Sequence, residues 1–139
     1  ARQAARDAYF APVARELAPL LRLLHPEAEI AFDSERLLPD RLRRGDRDEP
    51  LSILSGGTRE QVAILTRLAF ARLFARAGRP VPVILDDALV HADDARIVAM
   101  FTALHRVAAD QQILVFTCRQ MAFAALGGAR AAIVTRPVE

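Results

Sequence analysis

Two short stretches of this chain carry residues suited to holding phosphate and a divalent metal ion. The first is Leu54-Ser55-Gly56-Gly57-Thr58-Arg59-Glu60-Gln61. A hydroxyl residue and two glycines stand where a strongly helical run begins. The first N–H groups of a helix have no partner within it, and the helix dipole places partial positive charge there. Such a turn binds anions, and glycines let a phosphate approach the backbone without a Cβ in the way. The second stretch is Asp86-Asp87, which closes the apolar run 81–85. In open parallel sheets, ligands sit outside the carboxyl ends of the strands. Asp86 there suits Mg²⁺, directly or through its waters. Asp87 suits an attacking water, as general base or orienter. Each stretch also has a plain structural reading, as a glycine turn before a helix and as a pair of acids capping a turn.

The composition narrows the chemistry. The chain has 139 residues, enough for one domain with its own core, and 53% are hydrophobic. All 19 basic residues are arginine. A phosphate-binding loop of the G-x-x-x-x-G-K-[ST] type needs a lysine for the β/γ-phosphates, so this chain cannot supply one. Net charge is only +2 and does not by itself imply nucleic-acid binding. One cysteine, Cys118, excludes an internal disulfide and fits a reducing cytoplasm. Few Cys and His residues argue against zinc. No run approaches a membrane span, and no signal peptide is expected. The chain starts at Ala1 without an initiator Met, as a processed product or a piece of a longer protein would.

The elements that position these residues follow from periodicity. Phe10, Val13, Leu17, Leu20 and Leu24 form one apolar stripe, predicting an N-terminal helix over residues 2–24, with Pro12 near a helix start and a kink at Pro19. Residues 29–33 alternate as a half-buried strand does, and residues 37–42 form a second strand that Pro39 restricts to an edge. Residues 41–50 read as a charged loop, either a solvated hairpin tip or flexible connection or, through Arg41, Arg43, Arg44 and Arg47, a DNA contact. Residues 58–77 are the strongest helix, with Thr58-x-x-Gln61 resembling a capping box and Gly78 as terminator. Buried strands are expected at 81–85 and 112–117, and a helix at 95–109 with Asp93 or Asp94 as cap and Ile97, Met100, Phe101, Leu104 and Ala108 inward. A short helix at 120–126 and a last strand at 131–134 complete the order. Cys118 is expected to be a buried small residue. The whole reads as one α/β domain, residues 1–139, with a largely parallel sheet flanked by helices and antiparallel edge strands.

With these motifs in order, the chain resembles the C-terminal half of an ABC-type ATPase head. Leu54-Ser55-Gly56-Gly57 looks like the signature motif, and Val83-Ile84-Leu85-Asp86-Asp87 like the Walker B strand. Residues 88–93 resemble the D-loop with Asp93 as its closing aspartate, and residues 112–119 the strand leading to the switch position. The wording of these motifs is closest to the SMC/RecN-like and YhaN-like bacterial ATPases, whose heads are split by a long coiled coil. The resemblance covers about two thirds of the chain. It implies ATP and Mg²⁺, with the Walker A lysine on the N-terminal half and two heads sandwiching nucleotide as a homodimer. It implies that Ser55, Gly56, Gly57 and Thr58 meet a phosphate held by the opposite head, that Asp86 serves the metal, and that Asp87 orients water. Asp93 would lie at the dimer interface, and the helix in residues 1–24 would continue from an upstream coiled coil. Arg119 falls where the family has histidine, and Asp87 where it usually has glutamate. Arginine can stabilise phosphate charge but cannot accept a proton. A role in DNA repair or chromosome maintenance rests on the resemblance alone. A transporter nucleotide-binding half-domain and a non-catalytic, ATP-gated dimerisation module are the alternatives.

Overall fold

The computed structural model describes residues 2–33 and 38–131. It begins with a long helix, α1 (Arg2–Leu24), followed by strands β1 (Ala28–Phe32), β2 (Pro39–Arg44) and β3 (Arg47–Pro50). A single 3-10 turn leads into helix α2 (Gly56–Arg76). Then come β4 (Val83–Asp86), α3 (Asp94–Ala108) and β5 (Ile113–Phe116). Among the described residues five strands form two sheets: an antiparallel sheet in the order β1-β2-β3, and a parallel pair, β4-β5.

The α/β class expected from the sequence is what the chain adopts. The parallel part is narrower than expected, with two strands among the described residues. The expected strand at 131–134 lies almost wholly outside the described residues. The N-terminal helix has the expected span: α1 runs 23 residues, Arg2–Leu24, but Pro12 lies in its interior rather than near a helix start. Packing of Val13, Leu17, Leu20 and Leu21 into the core offsets the backbone bonds that the prolines remove. A carboxylate reinforces that packing. Glu16 of α1 is buried and accepts from Arg72 Nε (3.1 Å) and Arg76 Nη1 (2.7 Å) of α2.

Residues 41–50 are not a loop. They are the two arms of a hairpin, with Arg44 opposite Arg47 and the turn at Gly45-Asp46. Gly45 has φ +56°, which a two-residue hairpin turn reserves for glycine at its first central position. β2 is the central strand, not an edge. Pro39 is tolerated because it is the first residue of β2 and sits at a register irregularity opposite Phe32. Two of the four hairpin arginines are paired within the hairpin itself, Arg41 with Asp48 (3.0 Å) and Arg44 with Glu49 (2.6 Å). Such pairing removes half of the basic cluster that a DNA contact would use.

α2 starts at Gly56, with Ser55 as its cap. Its end is a Schellman closure: Gly78 N donates to Ala75 O and Arg79 N to Phe74 O, with Gly78 at φ +74°. α3 is amphipathic as expected, although Val107 takes the inward place assigned to Ala108. Residues 120–126 form turns and one 3-10 segment (Ala124–Leu126) rather than a helix. β4 and β5 pair in register from Val83 with Ile113 to Asp86 with Phe116. Val83 and Leu85 face the core. Ile84, Leu114 and Phe116 face outward and are 55%, 37% and 53% exposed. The strands expected to be fully buried at 81–85 and 112–117 are therefore covered on one face only among the described residues, whereas parallel strands are ordinarily covered on both. No described helix is long and apolar enough to cross a membrane.

Candidate functional site

The glycine turn at the start of α2 is built by its cap. Ser55 Oγ accepts from Thr58 N (3.2 Å) and lies 2.9 Å from Thr58 Oγ1. The expected Thr58-x-x-Gln61 box is thus displaced by one turn. Thr58 is the third helical residue and receives the cap instead of making it. Its side chain is buried, as is Gln61. Ser55 is exposed, Gly56 half-buried and Gly57 buried. No acidic residue lies in the first turn of α2. Close packing accounts for Gly57 but not for Gly56. A Cβ on Gly57 would come within 2.8 Å of Arg96 Nη1 and 3.0 Å of His91 O. A Cβ on Gly56 would meet the His91 side chain only at 3.7 Å.

Asp86 and Asp87 stand exposed at the carboxyl end of β4, where ligands collect in parallel sheets. Asp86 presents a free-standing hard oxygen donor, which suits Mg²⁺ sharing its ligands between one carboxylate, water and phosphate. Among the described residues no cluster of three metal-binding side chains occurs. Asp87 is turned differently. Its backbone has φ +42°, its N–H donates to Phe116 O (2.9 Å), and its Oδ1 accepts from Cys118 N (3.0 Å). It therefore ties the end of β4 to the turn after β5. Cys118 is exposed on that turn, not buried, because β5 has already ended at Phe116.

The loop 87–93 links this acidic corner to the glycine turn. Leu89 has φ +65° with its side chain buried. A left-handed backbone at a non-glycine residue costs about 1–3 kcal/mol and persists only where its surroundings hold it. Two side chains do so. Glu60 of α2 accepts from Leu89 N (2.7 Å) and Val90 N (3.3 Å) through Oε1, and from His91 N (3.2 Å) through Oε2. Arg119 donates through Nη1 to Leu89 O (3.1 Å) and Ala92 O (2.7 Å), and through Nη2 to Asp94 Oδ1 (2.7 Å). Glu60 had no sequence signal beyond its place in the motif, since its partners lie 29–31 residues away. Asp93, expected at a dimer interface, caps α3 through Oδ1 to Arg96 N (2.8 Å) and is exposed.

His25 sits beside this region, between the starts of α2 and α3. Burial lowers its pKa below the usual 6.5, and a hydrogen bond with Gln61 only partly opposes that; Arg44 and Arg96 lower it further. Its Nε2 is buried without a partner, so a proton there would meet no acceptor.

The structure thus brings together Ser55, Gly56, Gly57 and Thr58 with the loop that follows Asp86 and Asp87, and it brings Arg119 onto the same loop. No protein-family model matches the chain. The sequence is 36% identical over 129 residues to uncharacterized proteins of Mycobacterium tuberculosis and Mycobacterium bovis, and the match covers 92% of this chain. It spans 14% of the length of those relatives. Solved structures give the fold. A structure from work on ATP-driven dimerization and DNA-stimulated activation of SMC ATPases superposes with a TM-score of 0.74 at 16% identity, covering 98% of this chain and 84% of that one. The SMC head domain from Thermotoga maritima gives 0.64 at 22% identity, over 89% of this chain and 43% of that one. An SMC head bound to the C-winged helix domain of ScpA gives 0.66 at 17%, over 83% and 36%. The chain has the fold of part of an SMC ATPase head domain.

Proposed function

We propose that this chain is the C-terminal half of an SMC-like ATPase head, active only when joined to a Walker A-bearing N-terminal half. One observation carries the reading. A serine-capped, acid-free helix start is packed directly on the loop that leaves the Asp86-Asp87 strand end, within an SMC head fold. The open face of Ile84, Leu114 and Phe116 supports an upstream half that covers it. In this reading Ser55, Gly56, Gly57 and Thr58 receive a phosphate carried by a second head, giving an ATP-dependent homodimer. Asp86 contributes a carboxylate oxygen to Mg²⁺, and Asp87 orients the attacking water. Arg119 and Asp93 act through the loop 87–93. The remaining catalysis is positioning and charge stabilisation, as phosphoryl transfer requires. Work on DNA repair or chromosome maintenance is the biological setting that the motif resemblance favours.

A second reading has its own support. Asp87 already accepts from Cys118 N, and both Arg119 terminal nitrogens are engaged. That arrangement favours an ATP-gated dimerisation module with little turnover. The deciding measurement uses the protein with both halves joined, following ATP hydrolysis and sedimentation together. Hydrolysis that falls at least about tenfold in Asp87→Asn, with ATP-bound dimers accumulating, supports the ATPase. Dimers without hydrolysis in the unmodified protein support the module. Robust hydrolysis by the 139-residue chain alone would sink both.

A further inference from the structure

The loop 87–93 is held by opposite charges from opposite sides, and both grips meet on one residue. The N–H of Leu89 goes to Glu60 and its C=O to Arg119. Neither side chain comes from the loop. Glu60 lies on α2, five residues after the Ser55 cap, and Arg119 follows β5. A carboxylate accepting from successive backbone N–H groups makes charge-assisted bonds, roughly twice as strong as neutral ones. A guanidinium donating to two carbonyls presents a rigid fork. Arg119 closes the arrangement by pairing with Asp94 at the start of α3.

We propose that Glu60 and Arg119 form a two-sided clamp that sets the conformation of the loop 87–93, and that this clamp couples the phosphate-receiving turn to the acidic strand end. Arg119 is then a positioning residue whose guanidinium holds backbone carbonyls rather than nucleotide. The coupling has a short physical route. A phosphate at Ser55–Gly57 bears on the first turn of α2. Glu60 sits on the next turn and carries the loop by three N–H groups. The same loop begins at Asp87, whose carboxylate holds the turn that presents Arg119. The clamp itself stands on this chain's geometry; only its catalytic consequence rests on the proposed ATPase reading.

The test uses the joined protein and two readouts. Amide hydrogen exchange is measured in Glu60→Gln, Arg119→Ala and the double variant. Glu60→Gln keeps shape and size but removes the charge. Exchange at Leu89, Val90, His91 and Ala92 is expected to quicken at least about tenfold in each single variant, while Val62 and Leu65 of α2 stay within about twofold. The double variant should add little to either single one, because both remove the same device. ATP turnover should fall about tenfold in kcat with KM within about twofold, the pattern of lost positioning. Arg119→Lys, which keeps a donor for one carbonyl, should restore part of the loop protection. Loop amides that stay protected in Glu60→Gln overturn the clamp. So does an Arg119→Ala protein that loses turnover while its loop exchange is unchanged, since Arg119 would then act on nucleotide. If the unmodified protein hydrolyses no ATP, the ATPase reading fails, and the exchange data still decide the clamp.

Discussion

The two helices that start within this region begin in opposite electrical states. α3 is capped by Asp93 and carries Asp94 in its first turn, so its positive end is already answered by carboxylates. α2 is capped by Ser55, carries glycines at its first two positions, and has no acid in its first turn. Glu60, on the next turn, is spent on the loop 87–93. A helix start that the chain neutralises itself is architecture, whereas one left unanswered is open to an outside anion. Serine and aspartate are near-equal caps, so capping strength does not explain the difference.

That contrast can be broken by making α2 begin as α3 does. Ser55→Asp should leave the helix capped, with stability changed by no more than about 0.5 kcal/mol. ATP-driven association of joined heads should nonetheless weaken about a hundredfold or more, because a like charge facing phosphate costs several kcal/mol. Equal association by sedimentation would mean that the turn receives no phosphate. The glycines give the next effect. Gly57→Ala should destabilise by about 1–3 kcal/mol in chemical denaturation, because His91 O is backbone and cannot easily yield. Gly56→Ala should stay within about 0.5 kcal/mol. At the other helix, Asp93→Ala should cost about 1 kcal/mol while Asp93→Ser costs little, marking that carboxylate as a cap. If Asp93→Ser instead abolishes head association, the residue serves the interface as well.

The smallest effect tests the histidine lodged between the two starts. His25 has a folded-state pKa below 6.5, so the unfolded chain binds its proton first as pH falls. The stability that this histidine contributes is complete above about pH 6.5 and declines below it, until the folded-state pKa is passed. Thermal unfolding at pH 7.5 and 5.5 should show a smaller decline in His25→Gln than in the parent chain. His91 and His105 are common to both proteins, so the difference isolates His25.

Local pattern revealed what local forces determine. α2 and α3 are legible because apolar residues recur along them with helix period, and β4 and β5 because short apolar runs stand between turn signals, although such runs read as fully buried and here alternate between core and surface. The Ser55-Gly56-Gly57 turn and the Asp86-Asp87 strand end were legible because residue type alone restricts what such positions do. The rest depended on contacts far along the chain. Arg47-Asp48-Glu49-Pro50 has no apolar residue except proline, yet it is a strand because β2 offers a hairpin partner. The N-cap of α2 was misplaced because Thr58 and Ser55 are both good caps, and the true start depends on packing of Gly57 against His91. Cys118 looked like a core residue by type, but the early end of β5 puts it at the surface. Glu60 and Arg119 carry charges that are solvated in most helices and turns. Only the fold brings Leu89 between them.

The uncovered side of β4-β5 has a practical meaning. Ile84, Leu114 and Phe116 stand in a row beside strand edges that pair with no further strand among the described residues. Such edges are templates for pairing with another chain, and neither strand carries a lysine or an inward-pointing charge as a deterrent. Expressed by itself, this polypeptide should self-associate as its concentration rises. If the proposed N-terminal half covers this face, co-expression with it should suppress that association.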